Sequence, residues 1–260
     1  MAKRSIAGCR GILTGASSGI GRALATQLVG QGAKLLAVAR RAERLQELAN
    51  TLAGAPGQLL SVCGDVTSAE VREAAVRQAC DAFGGLDLLI NNAGSGAMGR
   101  FVEAPPERLR QVMEVNFFAA AEMIRLAVPR LKIGNRPMVV NISSILGHRG
   151  IPLCAEYCAS KFALQGLSES LRAELGRIGI DVLVVSPGTT QTEFFERAID
   201  AAQTPWSNRR GVSPETVARR TVAAIRTGRH EIMVGRPERL LVWMNRLFPR
   251  LVDRVMARYG

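Results

Sequence analysis

An α/β fold, doubly wound, with a seven-stranded and mostly parallel sheet covered by helices on both faces, is predicted by three observations. Apolar runs of strand length alternate with longer amphipathic segments along the chain. Glycine, proline or asparagine punctuates the joins, as expected of successive βα units. The chain has 260 residues, 47% hydrophobic and 22% charged, which suits one large domain and argues against disorder or a tandem array.

The first apolar run, 9–14 (CRGILT), meets a glycine-rich turn and then a helical segment at 19–31. Strand 34–39 (KLLAVA) leads to helix 41–52, strand 58–63 (QLLSVC) to helix 68–83, and strand 86–91 (LDLLIN) to a long helix over 106–131. Strand 137–142 (PMVVNI) precedes helix 155–177, and strand 180–186 (IDVLVVS) precedes helix 213–227 and a last short strand at 231–234 (EIMV). One stretch, 189–211, has no clear period. It follows a strand end, where ligands bind in open α/β sheets, so it is a candidate substrate lid, with Phe194, Phe195 and Trp206 as apolar cover. Residues 1–260 thus read as a single domain with a lid at 189–211 and an amphipathic extension at 236–260.

Lys and Arg number 34 against 22 Asp and Glu, for a formal charge of +12. The excess gathers in 205–260, yet no aromatic platform or reader motif accompanies it, so nucleic acid is not an expected partner. Two histidines, His148 and His230, without ligand spacing, exclude a His-rich zinc site, and no metal is expected. The five cysteines form no CxxC pair, and their odd number argues against a disulfide framework. No apolar stretch approaches the roughly eighteen residues of a spanning helix, and the start, MAKRSIAGCRGILTG, runs directly into a strand rather than a cleavable signal. The expected setting is cytoplasmic.

Directly after the first strand stands TGASSGIG, with Gly15, Gly19 and Gly21 at the strand-to-helix turn beside Ser17, Ser18 and Ile20. Glycines allow tight turning and close backbone approach to a pyrophosphate, and a helix N-terminus offers unpaired N–H groups. An acid at the end of the second strand would accept from the ribose of NAD(H); here Arg40 and Arg41 stand instead. Their guanidinium groups suit a 2′-phosphate, which favours NADP(H).

Tyr157 and Lys161 lie one helical turn apart, so an ammonium is expected to lower the phenol's pKa toward the range useful for proton transfer. Ser143 and Ser144 end the strand thirteen residues earlier, where a hydroxyl can hold a carbonyl oxygen.

Together these residues resemble the short-chain dehydrogenase/reductase family over nearly the whole chain. TGASSGIG is similar to its cofactor loop, Asp65 and Val66 to its adenine contact, and NNAG (91–94, with Asn92, Ala93 and Gly94) to its central-strand motif. Ser144, Tyr157, Lys161 and Asn116 match its four catalytic positions, and Pro187, Gly188 and Thr192 its nicotinamide-carboxamide segment. The resemblance implies a Rossmann fold and hydride transfer between nicotinamide and a carbonyl or alcohol. It also implies that Asn116 orders a water relay, and that a homodimer or homotetramer forms through helices 106–131 and 155–177. The alternative is a dinucleotide-sensing scaffold without turnover.

The extension places Leu240, Leu241, Met244, Leu247, Phe248, Leu251 and Val255 on one helical face, with Arg239, Arg246, Arg250, Arg254 and Arg258 opposite and Pro249 as a break. That face suits either docking on protein or peripheral membrane contact, the latter in keeping with a lipophilic substrate.

Overall fold

A computed structural model describes residues 4–194, 196–200 and 211–259. Among these residues seven strands form one sheet, all pairs parallel, in the order β3-β2-β1-β4-β5-β6-β7. They are β1 (Arg10–Thr14), β2 (Lys34–Ala39), β3 (Gln58–Cys63), β4 (Leu88–Asn91), β5 (Met138–Ile142), β6 (Asp181–Pro187) and β7 (Glu231–Val234). The helices are α1 (Gly19–Gly30), α2 (Ala42–Thr51), α3 (Ala69–Phe83), α4 (Pro106–Met113), α5 (Ala119–Leu131), α6 (Ala155–Gly176), α7 (Pro214–Thr227), α8 (Arg236–Leu247) and α9 (Pro249–Met256).

Strand order reverses between β1 and β4, which opens a crevice at the carboxyl edge of the sheet. Two cores explain why the central strands are continuously apolar. Leu13, Leu35, Ile90 and Val140 face one helical layer, whereas Ile12, Leu36, Leu89 and Val139 face the other.

The structure corrects two expectations. Helix 106–131 is interrupted by a π-helical turn at Glu114–Phe118, because one extra residue per turn swings Asn116 inward without disturbing the apolar pattern on either side. The expected apolar face of the extension docks only in part. Leu241 and Met244 pack on the body beside the buried Val242, Val252 and Met256, while Leu240, Leu247, Phe248, Leu251 and Val255 are exposed. The break between Leu247 and Pro249 makes two helices, each apolar on more than one side.

Candidate functional site

A cavity of about 910 Å³ runs along the carboxyl ends of the strands from Arg40 and Asp65 to Tyr157 and Leu241. Every catalytic and cofactor-contact residue singled out in the sequence lines it except Asn116, which is buried behind its wall.

At one end the glycine loop is held by the strand beside it. Asn92 Nδ2 donates to the carbonyls of Thr14 and Gly15, both at 3.0 Å, and the amides of Asn92 and Ala93 donate to Thr14 Oγ1, each at 3.0 Å. The NNAG segment therefore braces the loop through Asn92. Thr14, the first residue of TGASSGIG, receives both amides. Gly15 adopts φ +69, and a Cβ on Gly21 would collide with the Gly15 carbonyl oxygen. Ser68 and Ser213 cap α3 and α7 through their side chains, whereas no side chain caps α1, so its first N–H groups face the cavity mouth uncapped.

The two arginines after β2 differ. Arg40 is 76% exposed and lies 3.6 Å from Asp65, while Arg41 is 21% exposed and donates to Ser17 Oγ at 3.2 Å and to Glu193 Oε2 at 3.2 Å. Arg41, Ser17 and the glycine loop thus form one polar cradle. Asp65 makes a local turn, accepting from the amide and hydroxyl of Thr67 at 2.9 Å.

At the other end Tyr157 and Lys161 leave α6 on one side, with the ammonium 5.7 Å from the ring centroid. Ser144 hydrogen-bonds the Tyr157 hydroxyl and also accepts from the Leu146 amide at 3.1 Å, which fixes its rotamer. Lys161 Nζ donates to the Ile142 carbonyl at 2.9 Å, and burial lowers its pKa to about 8. Burial likewise pushes the Tyr157 phenol upward, opposed by the Ser144 hydrogen bond. This departs from the expected lowering by Lys161: with the ammonium beside the ring and bonded to a backbone carbonyl, desolvation is the larger influence.

Asn116 closes the back wall. Its amide donates to Ser160 Oγ at 2.8 Å and to the Ser95 carbonyl at 2.9 Å, and its oxygen accepts from the Ser95 amide at 2.7 Å. A Cβ on Gly94 would stand 3.3 Å from Asn116 Oδ1 and 3.7 Å from Lys161 Nζ, so these groups converge on one spot.

Above Tyr157 the wall is apolar. Phe194 packs its ring 5.2 Å from that of Tyr157, and Met98, Leu146, Ile151, Ala198 and Leu241 complete the enclosure. Thr192 lies against the glycine loop, its methyl where a Cβ on Gly19 would come within 2.9 Å. The lid residues Phe195 and Trp206 lie outside the described residues. A buried pair missed in the sequence, Arg108 and Glu156, meets at 2.6 Å. Arg108 also donates to Asp200 at 3.1 Å and to the Met98 carbonyl at 3.2 Å, tying the start of α6 to the segment before 201.

The neighbours of the site are held by packing. The His148 imidazole lies 3.0 Å from Ser186 and 3.5 Å from Glu231, with its pKa lowered by burial. Cys154 and Cys158 pack in an apolar cluster, and burial raises both thiols, Cys154 to about 12, which disfavours reactive thiolate.

The short chain dehydrogenase family model matches residues 11–203. The chain is 33% identical over 258 residues to dehydrogenase/reductase SDR family member 7B of Bos taurus, covering 95% of this chain and 79% of the relative. It is 30% identical to the ketoacyl reductase HetN of a Nostoc species, covering 96% and 88%. Among solved structures, a short-chain dehydrogenase/reductase from Burkholderia phymatum in complex with NAD superimposes with a TM-score of 0.87 at 26% identity, covering 95% and 96%. A short chain dehydrogenase from Burkholderia cenocepacia in complex with NADP gives 0.83 at 29%, covering 97% and 99%.

Proposed function

The chain belongs to the short-chain dehydrogenase/reductase family and is an oxidoreductase of nicotinamide cofactors; we propose that it uses NADP(H) to interconvert a lipophilic carbonyl compound and its alcohol. The observation that carries this reading is the continuity of one cavity, with Arg41 and Ser17 at the end that would hold a 2′-phosphate and Tyr157 with Ser144 at an apolar end.

The residues fit the dinucleotide. The uncapped start of α1 and the loop from Gly15 to Gly21 would take the pyrophosphate. Asp65 and Val66 would face the adenine, Pro187, Gly188 and Thr192 the carboxamide, and Lys161 the ribose next to it. Bound there, the cofactor supplies or accepts the hydride.

The chain's own groups handle the proton. Ser144 and Tyr157 together present hydroxyls to a carbonyl oxygen. Burial keeps the phenol protonated at neutral pH, which suits Tyr157 to donate during carbonyl reduction. Lys161, with its pKa near 8, holds a proton that can replace the one given up. Asn116 fixes the Ser95 loop and Ser160 around that ammonium, the place from which the family resemblance implies that it orders a water relay.

The apolar enclosure from Met98 to Leu241 supports a lipophilic substrate, and the described part of the expected lid, with Phe194 and 197–199, borders it in this reading. Phe118 and Phe162, 48% and 45% exposed beside α5 and on α6, support a homo-oligomer through those helices. The five free thiols fit a cytoplasmic setting. The test is to mix purified protein with NADPH or NADH and ketones, aldehydes, ketoacyl thioesters, sterols and quinones, following nicotinamide absorbance. Turnover with NADPH, best for apolar carbonyls, supports the proposal; preference for NADH or for small polar carbonyls overturns its finer part.

A further inference from the structure

The two carboxyl-terminal helices dock with one set of apolar side chains and leave another outside. Val252 and Met256 enter the cluster of Met98, Cys154 and Cys158, and Leu241 lines the apolar end of the cavity. On the outer side, Leu240, Trp243 and Leu247 follow one another at helical spacing along α8. Phe248 marks the corner, and Leu251 and Val255 continue along α9. These six are 42–65% exposed, the largest run of exposed apolar side chains among the described residues.

Cations accompany the row. Arg239, Arg246, Arg250, Arg254 and Arg258 are all exposed, and Arg246 lies 5.9 Å from the Trp243 ring. From 239 onward the sequence holds these five arginines and one acid, Asp253, which pairs with Arg149 at 2.7 Å. A second copy seated on this face would bring one cationic rim against another. A surface that is both apolar and anionic matches it: leucine and phenylalanine enter the acyl boundary, tryptophan sits at headgroup level, and arginine stems stretch toward phosphates.

We infer that α8 and α9 are a peripheral membrane-binding surface that seats the protein on an anionic bilayer. Leu240 is on the outer row and its neighbour Leu241 lines the cavity, so the membrane face adjoins the apolar end of the site. An apolar substrate dissolved in the bilayer then reaches that end without crossing water. Surface attachment, not spanning, is what the helices allow: among the described residues none is long and apolar enough to cross a membrane.

The experiment is flotation of the full chain with vesicles of phosphatidylcholine alone or mixed with phosphatidylglycerol, beside a Leu247→Ser/Phe248→Ser variant and an Arg250→Gln/Arg254→Gln variant. The wild type should float with the anionic vesicles and be released by salt, since each basic residue near such a surface adds roughly fivefold. Both variants should lose at least tenfold in partitioning while NADPH binding, which reports folding, is kept. Equal flotation of wild type and Leu247→Ser/Phe248→Ser, or no flotation of the wild type, overturns the inference. So does a smaller oligomer in that variant without any vesicle binding, which would give the face to a second copy. Flotation is read without turnover, so failure of the substrate proposal leaves this result standing, and the reverse.

Discussion

The end of the cavity proposed for the dinucleotide and the end proposed for the substrate are built on different plans. The first comes from short turns that follow β1, β2 and β3, each a few consecutive residues held by a neighbouring strand: Gly15 donates to the Val38 carbonyl, Gly64 to the Ala39 carbonyl, and Asn92 pins the glycine loop. The second is assembled from residues 95–98, the turn before α6, Phe194 with 197–199, and Leu241, which meet only in the folded chain. What this teaches is that cofactor chemistry is written locally and substrate chemistry is not. Tyr157 stands at the seam, so its loss should separate the two most sharply. Tyr157→Phe is expected to lower kcat about a thousandfold while NADPH affinity measured by fluorescence titration changes little. A rate near that of the wild type would remove the proton donor from the seam.

A change inside the local plan should do the opposite. In Gly21→Ala the new methyl collides with the Gly15 carbonyl, so the loop must open. Dinucleotide binding by calorimetry should weaken by about a hundredfold, given the sensitivity of bound geometry to ångström-scale displacement. Unchanged binding would mean that the loop does not carry the pyrophosphate. Arg41→Asp should turn cofactor preference toward NADH by roughly tenfold to a hundredfold, the range for a charge-assisted hydrogen bond, measured as a ratio of kcat/KM values. The same change at Arg40, which is mostly exposed, should do less. An equal effect of the two would break the distinction between the arginines.

The glycine loop, Tyr157 and Lys161 were legible in the sequence because each depends on neighbours a few residues away. The same holds for the seven strands, whose apolar runs are bounded by breakers. The π turn at Glu114–Phe118 was hidden, since one extra residue leaves the apolar pattern of α4 and α5 intact. The Arg108–Glu156 pair was hidden because 48 residues separate its members. The apolar face expected of α8 and α9 is only partly covered, because both sides of those helices are apolar and only packing decides which side chains are buried. The direction of the Tyr157 shift was misread for a related reason. Sequence shows that an ammonium is near, but not how dry the site is.

Dryness can be tested through Lys161. If its ammonium supplies the proton that Tyr157 gives up, carbonyl reduction should be fastest below pH 8 and fall as pH rises through that value, where the lysine becomes neutral. With one titrating group the drop between pH 7 and pH 9 is about tenfold, and alcohol oxidation should run the other way. A reduction profile flat to pH 10 would remove Lys161 from proton supply.

The smallest effect is expected where the two ends touch. Glu193, on the segment that closes the substrate end, accepts from Arg41 at 3.2 Å and from Arg197 at 2.9 Å. A 2′-phosphate on the cradle of Arg41 and Ser17 would compete with that carboxylate for the same guanidinium. The carboxylate of this pair is 39% exposed and screened by water, so Glu193→Gln should tighten binding of 2′,5′-ADP by only about threefold. Binding of 5′-ADP, which lacks the 2′-phosphate, should not change. Tightening of both ligands alike would mean that Glu193 acts on the whole loop rather than on Arg41. Weakening of 2′,5′-ADP would mean that the carboxylate orients the guanidinium instead of competing for it, and the two ends of the cavity would then be coupled in the opposite sense.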